Sequence, residues 1–155
     1  VLNKIYLNEE FTLRLIGEGA EKEKLISIVE NLYRSDNIKF LGYKDHDEVI
    51  EYMAMTEVFI MISDNETFGL VYIEAMSQGC IVVASRHGGM DGIIKDEING
   101  FLCEQGNIDE LTYICSKIRD MPKDEKKRIA LNAIKTATKF SSSNVAKEYL
   151  ENIIK

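Results

Sequence analysis

The sequence is poor in several residues that mark particular classes of protein. Its 155 residues include no Trp, a single Pro, 2 His and 3 Cys. The cysteines, at positions 80, 103 and 115, form no Cys-x-x-Cys pair, so neither a disulfide framework nor a zinc site is predicted. Free, buried thiols in a reducing cytoplasm fit this pattern.

Positive charge and long apolar runs are also scarce. The chain has 19 Lys+Arg against 26 Asp+Glu, a net charge of −7. Binding to a nucleic-acid backbone needs clustered cations, so no nucleic-acid partner is predicted. The longest apolar runs, 58–62 and 80–84, have five residues each, whereas a membrane-spanning helix needs about 20. The 45% hydrophobic content is that of one globular domain, residues 1–155.

Strand-like and helix-like segments alternate along the chain. Strands are predicted at 11–16, 38–41, 58–62, 81–84 and 100–103, and helices at 45–55, 70–78, 108–121, 123–139 and 145–154. Another helix is predicted from Leu25, Ile28, Val29, Leu32 and Tyr33, whose spacing places them on one face. Alternation of this kind predicts an α/β fold, a Rossmann-like doubly wound parallel sheet. Such sheets bind ligands at the carboxyl ends of their strands.

The segment 63–85, SDNETFGLVYIEAMSQGCIVVAS, carries the most chemical information. A buried strand ends in a polar loop, and a helix then begins after Gly69, where free N–H groups favour an anion such as phosphate. Glu66 and Glu74 offer carboxylates to the hydroxyls of a sugar or ribose. The spacing alone favours a simpler interpretation, in which Glu66 is a solvated loop residue and Glu74 only complements the helix dipole.

This segment resembles the signature of family 4 retaining glycosyltransferases with the GT-B fold, E-x-F-G-L-x-x-x-E-A-M-x-x-G-x-P-V-V-A-S. Flanking stretches resemble that family in the same order: LRLIGEGAEKEKL, IKFLGY, HGG, DEINGFLCEQGNIDEL and FSSSNVAKEYLENIIK. The resemblance covers nearly the whole chain. It implies the C-terminal, sugar-nucleotide-binding half of a GT-B enzyme, a fragment lacking the first strand and the N-terminal acceptor domain.

The resemblance also implies roles for individual residues. Glu66 is the expected catalytic residue beside the donor sugar, and Glu74 would hold the ribose hydroxyls. The donor-binding loop would comprise Thr67, Phe68, Gly69 and Leu70, with its N–H groups toward the diphosphate or the sugar. Gly17 would leave room for the phosphates, and the segment that contains Leu41 and Tyr43 would lie along the base.

The implied reaction moves a sugar from a nucleotide-sugar to a saccharide or lipid-linked acceptor, in bacterial surface polysaccharide synthesis. No metal or cofactor is expected, because cations of the protein neutralise the leaving diphosphate. In the family an Arg and a Lys supply that charge from a loop that would precede Val1, so this fragment alone is expected to be inactive. The resemblance implies a cytoplasmic protein at the inner face of the membrane, with acceptor and peripheral membrane contacts made through the N-terminal domain.

Other interpretations remain open from the sequence. A related GT-B sugar-phosphate synthase or nucleotide-sugar epimerase would share these motifs, as would a non-catalytic sugar-nucleotide-binding module. His87 either touches donor or acceptor or is a solvated loop residue. A nicotinamide cofactor is not predicted, because Gly17-Glu18-Gly19 lacks the third glycine of G-x-G-x-x-G.

Overall fold

The computed structural model describes residues 1–6, 10–32, 35–63, 69–141, 143–144 and 149–150. The helices of this part of the chain are α1 (Leu2–Ile5), α2 (Lys22–Glu30), α3 (His46–Ala54), α4 (Leu70–Ser77), α5 (Ile108–Asp120) and α6 (Lys123–Thr138). Its strands are β1 (Leu13–Ile16), β2 (Ile38–Gly42), β3 (Val58–Met61), β4 (Ile81–Ser85) and β5 (Phe101–Cys103). The predicted helix at 145–154 falls largely outside the described residues.

Every strand pairing among the described residues is parallel, and this confirms the predicted α/β class. β1 pairs with β2, and β4 lies between β3 and β5. The chain divides into two compact units, Val1–Val49 and Ile50–Lys155, with one of these sheets in each. The single domain expected over residues 1–155 stays a prediction.

The first unit contains α1, the two-stranded sheet of β1 and β2, and their connecting helix α2. The carboxyl ends of β1 and β2 are joined where the Gly17 N–H donates to the Gly42 carbonyl at 2.8 Å. The predicted apolar stripe of α2 is present but not buried: Leu25, Ile28 and Leu32 are 44%, 51% and 41% exposed. Helical spacing alone predicts an apolar face and cannot show whether another layer covers it.

The core of the second unit forms around β4, whose five residues are all buried. The buried cluster comprises Ile81, Val83, Phe101, Cys103, Ile114, Ile118, Met121 and Ile129. β3 is less protected than its apolar sequence predicts, because it pairs only with β4 among the described strands and Ile60 remains 37% exposed. Ile108 is the first residue of α5 and is 65% exposed.

Candidate functional site

The carboxyl ends of β3 and β4 are tied together directly beside the predicted ligand loop. The Ser85 hydroxyl donates to the Ser63 carbonyl at 2.8 Å. The Ser63 Oγ is itself buried and, within the described part of the chain, has no hydrogen-bond partner. Two serine hydroxyls therefore lie at the strand ends where parallel sheets bind ligands.

Gly69 forms the N-cap of α4 in the left-handed conformation, with φ 70° and ψ 49°. It is buried, and its carbonyl accepts the Tyr72 N–H at 2.9 Å. Glycine adopts a positive φ without the steric cost that a Cβ imposes. Among the described residues, no side-chain hydrogen bond caps this helix.

Tyr72 holds the start of α4 against the end of β3. Its hydroxyl donates to the Met61 carbonyl at 2.7 Å, and its ring meets Phe59 edge-on with centroids 6.0 Å apart. Only 1% of Tyr72 is exposed. Sequence reasoning missed this residue, although a phenol inside the apolar run LVYI needs a hydrogen-bond partner when it is buried.

Glu74 lies one helical turn after Leu70 on α4. Residues four apart share a helix face, so Leu70, which is 63% exposed, and the half-buried Glu74 lie along one side of the helix. Ile73, Ala75 and Met76 are buried in the core. The structure thus brings together Gly69, Leu70 and Glu74, whereas the predicted site residues Glu66, Thr67 and Phe68 lie outside the described residues.

The remaining predicted site residues lie at the carboxyl edge of the first unit's sheet. Gly17 has φ 124°, with open space where a Cβ would be. Leu41 is half-buried in β2, and Tyr43, just after that strand, is 77% exposed. Gly42 is more constrained, because a Cβ at that position would lie 2.9 Å from Glu18 Oε1.

A charged cluster that sequence reasoning missed supports the loop after β4. Arg86 Nη2 donates to Glu110 Oε1 at 2.8 Å and to the Leu102 carbonyl at 2.9 Å. Glu110 Oε2 accepts the Glu104 N–H at 2.7 Å. This N–H and the Arg86 guanidinium lower the pKa of Glu110, and the hydrogen bond to Glu110 raises the pKa of Arg86.

The loop held by this cluster contains His87, which has a left-handed φ of 61°. Its side chain is 75% exposed, and its Nδ1 lies 3.8 Å from Asp91 Oδ2. Met90, three residues later, is only 1% exposed and anchors the loop in the core. His87 is therefore presented to solvent on a loop fixed at both sides.

Two further features bear on the chemistry of the chain. Within the described ranges, no group of three or more His, Cys, Asp or Glu side chains is arranged to hold a metal ion. None of the helices described is both long and apolar enough to cross a bilayer.

The chain is similar in sequence to several curated proteins. The chain is 34% identical to the N-acetyl-alpha-D-glucosaminyl L-malate synthase of Bacillus anthracis over 122 aligned residues. The alignment covers 79% of this chain and 31% of that protein. The chain spans 22–37% of the length of the first curated relatives that it matches.

Solved structures match the fold over most of the chain. Anabaena HepE in complex with UDP-glucose has a TM-score of 0.77 and 29% identity, covering 92% of this chain and 40% of HepE. The sucrose-phosphate synthase of Thermosynechococcus elongatus has a TM-score of 0.76 and 25% identity, and the match covers 92% of this chain and 38% of the synthase. These similarities support the Rossmann-like GT-B class expected from the sequence.

The model of one protein family, glycosyl transferases group 1, matches residues 1–137. This range includes both sheets, the Gly69 helix start and Glu74. The chain belongs to the glycosyl transferases group 1 family.

Proposed function

We propose that residues 1–155 are the C-terminal, donor-binding domain of a family 4 retaining glycosyltransferase, without the first strand and the N-terminal acceptor domain of the complete enzyme. The whole protein would move a sugar from a nucleotide-sugar to a saccharide or lipid-linked acceptor in surface polysaccharide synthesis. One observation carries this proposal: buried, left-handed Gly69 opens α4 beside the end of β3, with Glu74 one turn further on.

The α4 terminus suits a nucleotide diphosphate for electrostatic reasons. Backbone N–H groups and the helix dipole favour negative charge there, and Gly69 lets an anion approach the backbone closely. Glu74 has the acceptor oxygens that ribose hydroxyls require. Glu66 would lie beside the donor sugar, with Thr67 and Phe68 in the same loop. Gly17, Leu41 and Tyr43 would serve the phosphates and the base.

In the proposed reaction, negative charge develops on the leaving diphosphate, and fixed positive groups stabilise it. An Arg and a Lys preceding Val1 in the complete enzyme would supply those groups, so the reaction needs neither a metal nor a cofactor and this chain alone would be inactive. The proposal places the protein in the cytoplasm, at the inner face of the membrane. HepE, similar to this chain, has been solved with UDP-glucose, which favours a UDP-sugar as donor.

A sugar-phosphate synthase is the second candidate. The similarity to a sucrose-phosphate synthase favours it over an epimerase or a non-catalytic module. The complete protein distinguishes the two, since a sugar-phosphate synthase uses a phosphorylated sugar as acceptor and the first candidate uses an unphosphorylated saccharide or a lipid-linked one.

The donor site can be tested by calorimetric titration of UDP, GDP and ADP into the chain. We expect saturable binding of one nucleotide, UDP first, and about tenfold weaker binding after Glu74→Gln, because a hydrogen bond to a charged group contributes roughly 1.5–3 kcal/mol. Glu30→Gln removes the same charge at the exposed end of α2 and should leave binding unchanged.

Two outcomes would contradict this proposal. Equal nucleotide affinity in the parent chain and in Glu74→Gln would show that Glu74 does not bind the ribose. No binding at millimolar nucleotide, even in a longer protein that includes the preceding residues, would remove the donor site altogether.

The catalytic role of Glu66 needs the complete enzyme. Glu66→Gln should lower kcat while nucleotide affinity is retained, and NMR of the product should show the anomeric configuration of the donor. An inverted product would exclude the retaining mechanism.

A further inference from the structure

A groove lies between the loop 92–99 and the C-terminal half of α6, on residues that the proposed donor site does not use. It is open to solvent and has a volume of about 460 Å³. The residues that line it include Lys95, Ile98, Asn99, Lys135, Lys139 and Phe140. This space, called the α6 groove below, is large enough for a phosphate-bearing group.

The walls of the α6 groove are fixed by hydrogen bonds between the loop and the helix. Asn99, only 4% exposed, donates to Thr136 Oγ1 at 2.9 Å and to the Ile93 carbonyl at 3.1 Å. Its Oδ1 accepts the Lys95 N–H at 2.7 Å. From the helix, Asn132 donates to the Ile98 carbonyl at 2.9 Å. The groove is therefore a built feature of the fold.

The groove concentrates positive charge. Within the described part of the chain, the ammonium groups of Lys95, Lys135 and Lys139 take part in no ion pair. The two acidic residues that follow Lys95 in the sequence contact other groups. Asp96 accepts the Leu102 N–H at 3.0 Å, and Glu97 forms an ion pair with Lys117 at 2.5 Å. Residues 126–141 contain no Asp or Glu at all.

Two of the three lysines lie at the C-terminal end of α6, where the helix dipole favours positive charge. Lys135 and Lys139 are four residues apart, a spacing at which like charges on a helix repel. Lys95 adds a third charge from the opposite wall. The whole chain carries a net charge of −7, so the cationic groove does not follow from its composition.

We propose that the α6 groove binds a phosphate group, the chemistry shared by free phosphate compounds and anionic lipid head groups. Ammonium groups at Lys95, Lys135 and Lys139 contact the phosphate oxygens from both walls. Ile98, which is 50% exposed, and Phe140 provide apolar wall for the remainder of the ligand. This site is separate from the α4 terminus and does not depend on the proposed function.

The first arm of the test titrates inorganic pyrophosphate into the ¹⁵N-labelled chain. We expect saturable shifts of the amides at 95–99 and 135–139, weakened at least tenfold in the double variant Lys135→Gln, Lys139→Gln. Lys127→Gln removes one charge from the same helix outside the groove and should change nothing. Amide shifts at 69–74 report binding to the proposed donor site, and we expect them to be unchanged in the double variant. The experiment therefore tests the two proposed sites independently.

The second arm measures cosedimentation with phosphatidylglycerol vesicles, with phosphatidylcholine vesicles as the neutral control. If the parent chain sediments with the anionic vesicles and the double variant does not, the phosphate group that binds the α6 groove belongs to a lipid head group. Pyrophosphate binding without vesicle binding would identify a free phosphate compound. Absence of both, or equal losses in Lys127→Gln and the double variant, would overturn the proposal.

Discussion

The Arg86 guanidinium donates a hydrogen bond to the Glu110 carboxylate at 2.8 Å and so joins the end of β4 to the first turn of α5. Glu110 Oε2 accepts the Glu104 N–H, while the Asn107 side chain caps the Glu110 N–H at 3.0 Å. A single carboxylate thus organises the ends of two strands and a helix start. The loop that carries His87 follows directly from Arg86.

We expect Glu110→Gln to lower the free energy of unfolding by about 1–2 kcal/mol at neutral pH, because it weakens two charge-assisted hydrogen bonds. Urea denaturation measures this change. Asp109→Asn removes the same charge from the same helical turn at an exposed position and should have a smaller effect. Equal losses in the two variants would indicate that only the helix dipole matters.

The Glu110 effect should depend on pH in a defined direction. The Glu104 N–H and Arg86 hold the pKa of Glu110 below its ordinary value, so the ionised form stabilises the folded state. This contribution is complete above the unfolded-state pKa of about 4.3 and is lost as the pH falls through the lower folded-state pKa. The stability difference between the parent chain and Glu110→Gln should shrink in acid. A difference that stays constant between pH 3 and 7 would contradict this assignment.

Gly69→Ala should destabilise the chain by about 1–2 kcal/mol, because a Cβ is unfavourable in the left-handed conformation that opens α4. The same variant should weaken nucleotide binding in the proposed donor site. Gly19→Ala is the control, since its φ is not positive and no atom lies within 4 Å of the added Cβ. Urea denaturation and nucleotide titration measure the two effects, and a Gly69→Ala chain with parental stability would argue against the left-handed helix start.

Asn99→Ala should cost about 2–4 kcal/mol, because three hydrogen bonds of a buried amide are lost and their partners are left unsatisfied. Asn132→Ala removes a single hydrogen bond, to the Ile98 carbonyl, that is more exposed than those of Asn99, and should cost about 1 kcal/mol. Thermal or urea unfolding compares the two variants. A smaller loss for Asn99→Ala than for Asn132→Ala would contradict its role in joining the 92–99 loop to α6.

The three thiols should be protected in the folded chain. Cys80, Cys103 and Cys115 are all buried, and burial raises the pKa of Cys80 and of Cys103 to about 11. Because the thiolate is the reactive form, we expect little reaction with Ellman's reagent at pH 8 in native buffer and three equivalents in urea. Rapid stoichiometric labelling of the native chain would contradict the buried placement.

Local patterns were sufficient to predict much of the fold, including the start of α4. The run IVVA predicted a strand at 81–84, and Gly69 predicted the beginning of the helix at 70–78; β4 and α4 confirm these predictions. Such signals succeed because apolar periodicity and glycine conformation act within a few residues. The roles of Glu66, Thr67 and Phe68 stay predictions, since those residues lie outside the described part of the chain.

Other features depend on contacts between residues far apart in the chain. Arg86 meets Glu110 across 24 positions, and Lys95 shares the α6 groove with Lys135 across 40. The exposure of Leu25 and Ile60 likewise depends on which elements cover them. Nothing in a local pattern specifies these contacts, because they arise only when strand pairing and helix packing bring distant segments together. The sequence therefore indicates the family and the helix that serves the proposed donor site, while folding assembles the Arg86–Glu110 cluster and the cationic groove.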